Sequence, residues 1–113
     1  MKSKKLRIRC WIEVDGEKFF GPGPAELLGL IDKHGSIARA AAKMGMSYKK
    51  AWDIVQNINT HGKTPLVEIR KGGGHGGGTS LTKTGKSVLK EYHSLTDKID
   101  KLVAKNSNVL KWL

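Results

Sequence analysis

Residues 5–14 alternate strictly, with Leu6, Ile8, Cys10, Ile12 and Val14 on one face and Arg7, Arg9, Trp11 and Glu13 on the other. That period of two predicts a strand with one apolar side. Asp15-Gly16 follows as a tight-turn signal, because glycine tolerates the positive φ such turns need. Lys18-Phe19-Phe20 reads as the short return strand, so residues 5–20 are predicted as a β-hairpin. Gly21-Pro22-Gly23-Pro24 then breaks the chain, with Pro24 suited to a first helical turn.

From Pro24 to His34 the set Leu27, Leu28, Leu30 and Ile31 predicts a helix with one buried face, ended by Gly35. Ser36 is a good cap for an alanine-rich second helix, Ile37 to Lys43, which a neighbour can approach closely. Met44-Gly45-Met46 has room only for a turn. Ser47 caps a third helix reaching about Asn59, whose inward stripe is Ala51, Ile54, Val55 and Ile58. Pro65 to Arg70 and Thr79 to Leu81 read as two strands around a loop in which glycine fills six of the seven positions after Lys71, interrupted only by His75. Thr82 caps a last helix, 82–105, on which Val88, Tyr92, Leu95, Ile99 and Leu102 recur at steps of four and three, a heptad seam. The tail, 106–113, is apolar enough that packing against something is expected.

Three short helices followed by a β-hairpin is the element order of a winged helix-turn-helix. The predicted fold is therefore mainly α with a small β component: one domain over 1–113, with the winged helix-turn-helix at 24–81 and a C-terminal dimerisation helix at 82–105.

Charge sharpens this reading. The chain of 113 residues has 21 Lys and Arg against 10 Asp and Glu, a net charge of +11. Residues 1–12, 33–52 and 69–90 each hold five bases and no acid, so these blocks carry +15 and the remainder −4. The second block covers the start of the third helix and the third covers the wing, so a fold joining them offers a positive surface to a polyanion. Lys49 and Lys50 lie in the first turn of the third helix, where side chains of this motif meet base edges and free N–H groups favour phosphate. Arg39 and Lys43 share a face of the supporting helix and suit backbone phosphates. Arg70, Lys71 and His75 would charge the wing. Ser36, Ser47 and Tyr48 complete the candidate DNA-binding set. Ser47 is first of all a cap, Tyr48 has the alternative of stacking on Trp52, and Trp52 itself reads as core or rim.

The stretch Gly35-Ser36-Ile37, the alanine run, Gly45-Met46-Ser47-Tyr48-Lys49-Lys50-Ala51-Trp52, Leu66-Val67-Glu68, the glycine loop and Leu81-Thr82-Lys83-Thr84-Gly85 resembles the N-terminal DNA-binding domain of the molybdate-responsive ModE regulators, whose helix-turn-helix is LysR-like. The resemblance implies a dimeric transcription regulator whose recognition helix begins at Ser47. Those regulators also carry C-terminal molybdate-binding domains, for which these 113 residues leave no room. Molybdate binding is not carried over: either a separate effector-sensing partner supplies sensing, or this protein senses something else or nothing.

Other chemistries find little support. Gly85-Lys86-Ser87 ends like a phosphate-binding loop, but the first glycine that motif needs is Ser80. Ser47-x-x-Lys50 matches an acyl-transfer pattern without its companion motifs. His34, His61, His75, His93 and Cys10 lack metal-ligand spacing. No metal, cofactor or catalytic residue is expected. A lone Cys10 closes no intrachain disulfide, and no long apolar run follows the basic start, so a cytoplasmic protein, nucleoid-associated when bound, is expected. The expected function is that of a homodimeric, sequence-specific regulator of a roughly palindromic operator. The alternatives are a non-specific architectural DNA-binding protein and an interaction adaptor using the C-terminal helix.

Overall fold

The structure, a computed structural model, describes residues 2–71 and 78–113. A hairpin of β1 (Ile12–Val14) and β2 (Glu17–Phe20) leads into helices α1 (Pro22–His34), α2 (Ile37–Met44) and α3 (Tyr48–His61). A second hairpin, β3 (Val67–Arg70) and β4 (Gly78–Leu81), leads into the long helix α4 (Lys83–Lys105), and a 3-10 turn follows over Asn108–Trp112. This is a winged helix-turn-helix with an N-terminal hairpin and a long final helix. The third helix runs two residues beyond its predicted end, and the first starts two residues early.

Asp15 and Gly16 take φ of 52° and 82°, the paired positive values of a primed turn. The alternation of residues 5–14 becomes a strand only over its last three positions. β2 has four residues, so the segment before Ile12 has no strand to pair with and runs instead beside α4. Its apolar face stays largely open: Leu6, Ile8 and Ile12 are 38%, 53% and 44% exposed.

The core lies where α1, α2 and α3 meet, filled by Leu27, Leu28, Ile31, Ala40, Val55 and Ile58, all without exposed surface. Alanine at Ala40 and Ala41 lets the helices come close, as burial of both requires. Phe20 seals the hairpin onto this core, and Leu66, Val67 and Leu81 seal the wing. Three contacts fix the wing on the helices. The Asn59 side-chain oxygen accepts from the N–H groups of Leu66 and Val67 at 3.0 Å each, while its amide donates to Val67 O at 2.9 Å. Thr79 N–H donates to Gly35 O at 3.0 Å. Thr82 N–H donates to Leu66 O at 3.0 Å, and its hydroxyl donates to Pro65 O and accepts from Gly85 N–H.

Only Gly85 and Tyr92 of α4 are buried. Its first half lies over the core and its second half runs past it, so the molecule extends 60 Å along its long axis. Within this chain the apolar side chains of the tail stay open: Val109, Trp112 and Leu113 are 52%, 85% and 69% exposed.

Candidate nucleic-acid interface

The helix-turn-helix is built by its caps. The Ser36 hydroxyl oxygen accepts from Arg39 N–H at 3.1 Å and that of Ser47 from Lys50 N–H at 3.1 Å, each satisfying a donor the first helical turn leaves open. Gly45, at φ 68°, makes the left-handed residue that ends α2 and turns the chain into α3. The α3 start is therefore held at the surface. Tyr48, Lys49 and Lys50 point outward, because Ala51, Val55 and Ile58 commit the opposite face to the core.

Tyr48 and Arg70 line one cleft of about 230 Å³, together with Ser36, Trp52, Ile69 and Thr79. One wall is the N-terminal turn of α3, the second the start of α2, and the third the β3–β4 wing. Tyr48 packs against Trp52, with ring centroids 6.3 Å apart and a 31° tilt, yet keeps half its surface exposed. Arg70 spans the wing, its Nη1 donating to Ser80 Oγ at 3.2 Å. The two acid-free blocks thus meet at one groove, although they are about twenty residues apart in sequence.

Of the candidate residues, Ser36, Tyr48 and Arg70 share the cleft, while Ser47, Lys49 and Lys50 stand at the adjoining helix start. Arg39, Lys43 and Lys71 are exposed and do not line it. His75 lies outside the described residues, as does most of the glycine loop. The composition blocks conceal one feature: Asp53 closes an ion pair with Lys49 at 3.0 Å, both side chains largely exposed. The i,i+4 spacing was its sequence signal. Lys50 has no such partner among the described residues. Asn59, which sets the wing angle, carried no comparable signal. Among the described residues, no three His, Cys, Asp or Glu side chains gather as a metal would need, and no helix is long and apolar enough to cross a membrane.

The residues of the α4 seam divide. Val88 is half-buried against the core, and Tyr92 belongs to it. The Tyr92 ring meets Phe20 edge-on at 5.2 Å and its hydroxyl donates to Cys10 O at 2.7 Å, so Tyr92 is spent within the chain rather than offered to a second copy. Burial, with a smaller contribution from the Cys10 charge, lifts the Tyr92 phenol above its usual pKa of 10.0. Beyond it, Leu95 and Leu102 are 46% and 62% exposed and Ile99 half-buried.

Comparison with known proteins agrees with this architecture. The model of the bacterial regulatory helix-turn-helix proteins of the lysR family matches residues 26–86, from α1 to the start of α4. The chain is 44% identical over 95 residues to the molybdenum transport protein ModE of Azotobacter vinelandii, covering 84% of this chain and 35% of that protein. It is 40% identical over 101 residues to the molybdenum-pterin-binding protein MopA of Rhodobacter capsulatus, covering 89% and 38%. It is 36% identical over 91 residues to the DNA-binding transcriptional dual regulator ModE of Escherichia coli, covering 80% and 35%. The chain spans little more than a third of the length of these relatives.

Proposed function

Since the chain belongs to the lysR family of bacterial regulatory helix-turn-helix proteins, we propose that it is a sequence-specific transcriptional regulator that binds double-stranded DNA as a homodimer. The observation that carries the reading is the cleft in which Tyr48, at the tip of α3, faces Arg70 on the wing. A recognition helix starting at Ser47 enters the major groove by its N-terminal turn, with Tyr48 and Lys50 reaching base edges and the open N–H groups of that turn receiving phosphate. Arg70 and Lys71, at the root of the glycine-rich wing over 71–79, reach the phosphates of the adjoining backbone. Arg39 and Lys43 on α2 add phosphate contacts that position the protein without reading sequence.

The homodimer rests on α4. Leu95, Ile99 and Leu102 form an apolar stripe beyond the core, and two copies joined along it place two recognition helices about a two-fold axis. The operator is then roughly palindromic, its half-sites one helical turn or a multiple apart. A separate effector-sensing partner is part of the same proposal. A reading as a non-specific architectural protein makes the opposite prediction for sequence preference.

Selection of bound fragments from random duplex DNA, followed by sequencing, tests the proposal. The expected result is an enriched inverted repeat. Recovery of fragments without a shared motif would replace it by the architectural reading.

A further inference from the structure

The first basic block goes nowhere near the cleft. Residues 2–11 run antiparallel to α4. Cys10 O accepts from Tyr92, Ile8 and Arg9 lie with Asp100, Leu6 and Arg7 with Val103 and Ala104, and Lys4 Nζ donates to Leu113 O. The arm is thus tied at one end to α4 through Tyr92 and at the other to the tail at Leu113. At the helical period, Leu95, Ile99 and Leu102 lie on the face beside the arm, and Lys98, Lys101 and Lys105 on the face beyond. The apolar stripe is flanked on one side by the arm cations and on the other by a row of lysines.

Residues 2–9 and 97–111 together hold nine Lys and Arg against two acids, Asp97 and Asp100. Among the described residues the one side-chain ion pair is Lys49–Asp53; of these nine, Lys4 is held by Leu113 O and the other eight have no carboxylate within 4.0 Å. All nine are exposed. Such a density repels itself unless an anion answers it. The arm supplies a second indication. Lys5, Arg7 and Arg9 recur at every second residue, about 6.6 Å apart in an extended chain. Projected on the duplex axis, that interval corresponds to two phosphates of one strand, about 6.8 Å. Because the arm is already held against α4, ordering it on a ligand costs less entropy than ordering a free tail.

We propose that the arm and the lysine row of α4 form a second, sequence-independent site for nucleic-acid phosphates. The lysine row begins about 23 Å along α4 from the helix start at Lys83. The cleft reads one stretch of duplex while this end holds another. The assignment stands whether or not α4 pairs with a second copy, because the cations flank the stripe rather than fill it.

The test uses the full chain and a short fluorescent duplex of random sequence, titrated from 50 to 200 mM NaCl. The variants are Lys5→Ala/Arg7→Ala/Arg9→Ala and, on an exposed helical face where alanine favours the fold, Lys98→Ala/Lys101→Ala/Lys105→Ala. Each lost phosphate contact lowers the salt slope by about 0.9. For three contacts, the wild type loses about forty-fold more affinity across that range than the variant. A cleft variant, Lys50→Ala/Arg70→Ala, should lose sequence preference yet keep the arm-dependent slope, which separates this site from the recognition reading. An unchanged slope in the lysine-row variant overturns the proposal. So does binding of the wild type to phosphatidylserine vesicles, lost in both triple variants whose duplex binding is intact.

Discussion

Lys49 and Asp53 stand one turn apart on α3 and close an ion pair at 3.0 Å on the helix tip that would meet DNA. Both side chains are well exposed, so the pair adds little to stability. Its consequence is electrostatic. Asp53 cancels one of the two lysines at the start of the recognition helix and leaves Lys50 as the uncompensated charge.

Asp53→Asn should therefore raise affinity for duplex DNA and steepen its salt dependence by up to one phosphate equivalent, about 0.9 in log–log slope. Lys50→Ala should weaken binding and flatten the slope more than Lys49→Ala. Mobility-shift titrations at several salt concentrations check both. Equal effects of the two lysine changes would mean that the pair opens on binding.

Tyr92 links the arm, the hairpin and α4. Tyr92→Phe keeps the contact with Phe20 and removes the bond to Cys10 O, at an expected cost of about 0.5–1.5 kcal/mol in chemical unfolding. The pH dependence follows from the raised phenol pKa. The folded state holds the proton more tightly than the unfolded one, so this contribution is intact below the unfolded value of 10.0 and is lost as pH rises through the higher folded value. The wild type should lose stability on that alkaline limb, and Tyr92→Phe should lose less there.

Two helical glycines should respond in opposite directions. A Cβ at Gly85 would lie 2.1 Å from Leu66 O, in the first turn of α4 where the wing strand passes. Gly85→Ala must push the wing away and should cost about 1–3 kcal/mol or more, with loss of DNA binding. A Cβ at Gly29, inside α1, meets nothing within 4 Å. Gly29→Ala should stabilise by about 0.5–1 kcal/mol through helix propensity. Thermal unfolding of the two variants provides the check.

If α4 pairs two copies, Leu95→Glu/Leu102→Glu should give a monomer by light scattering with helical content retained, since both side chains are exposed within one chain. Cutting the chain before Tyr92 is a poorer test, because it removes a core residue. A dimer that survives the double change would place the interface elsewhere.

The local grammar of this protein is written in its residues. Asp15-Gly16, Gly35, Gly45, Ser36, Ser47 and Thr82 each act through their own backbone conformation or a hydroxyl reaching three residues on, so turns and caps were readable where they occur. The inward stripe of α3 was equally plain, since it depends only on helical period. Tertiary structure decided the rest. The alternation of residues 5–14 asked for a strand, but a strand exists only where a partner supplies hydrogen bonds, and β2 stops after four residues. Tyr92 kept perfect heptad spacing, yet Phe20 and Cys10, over seventy residues away in sequence, claimed it for the core. The meeting of Tyr48 with Arg70 likewise depends on Asn59 binding the wing backbone, a contact between distant groups that no local period encodes.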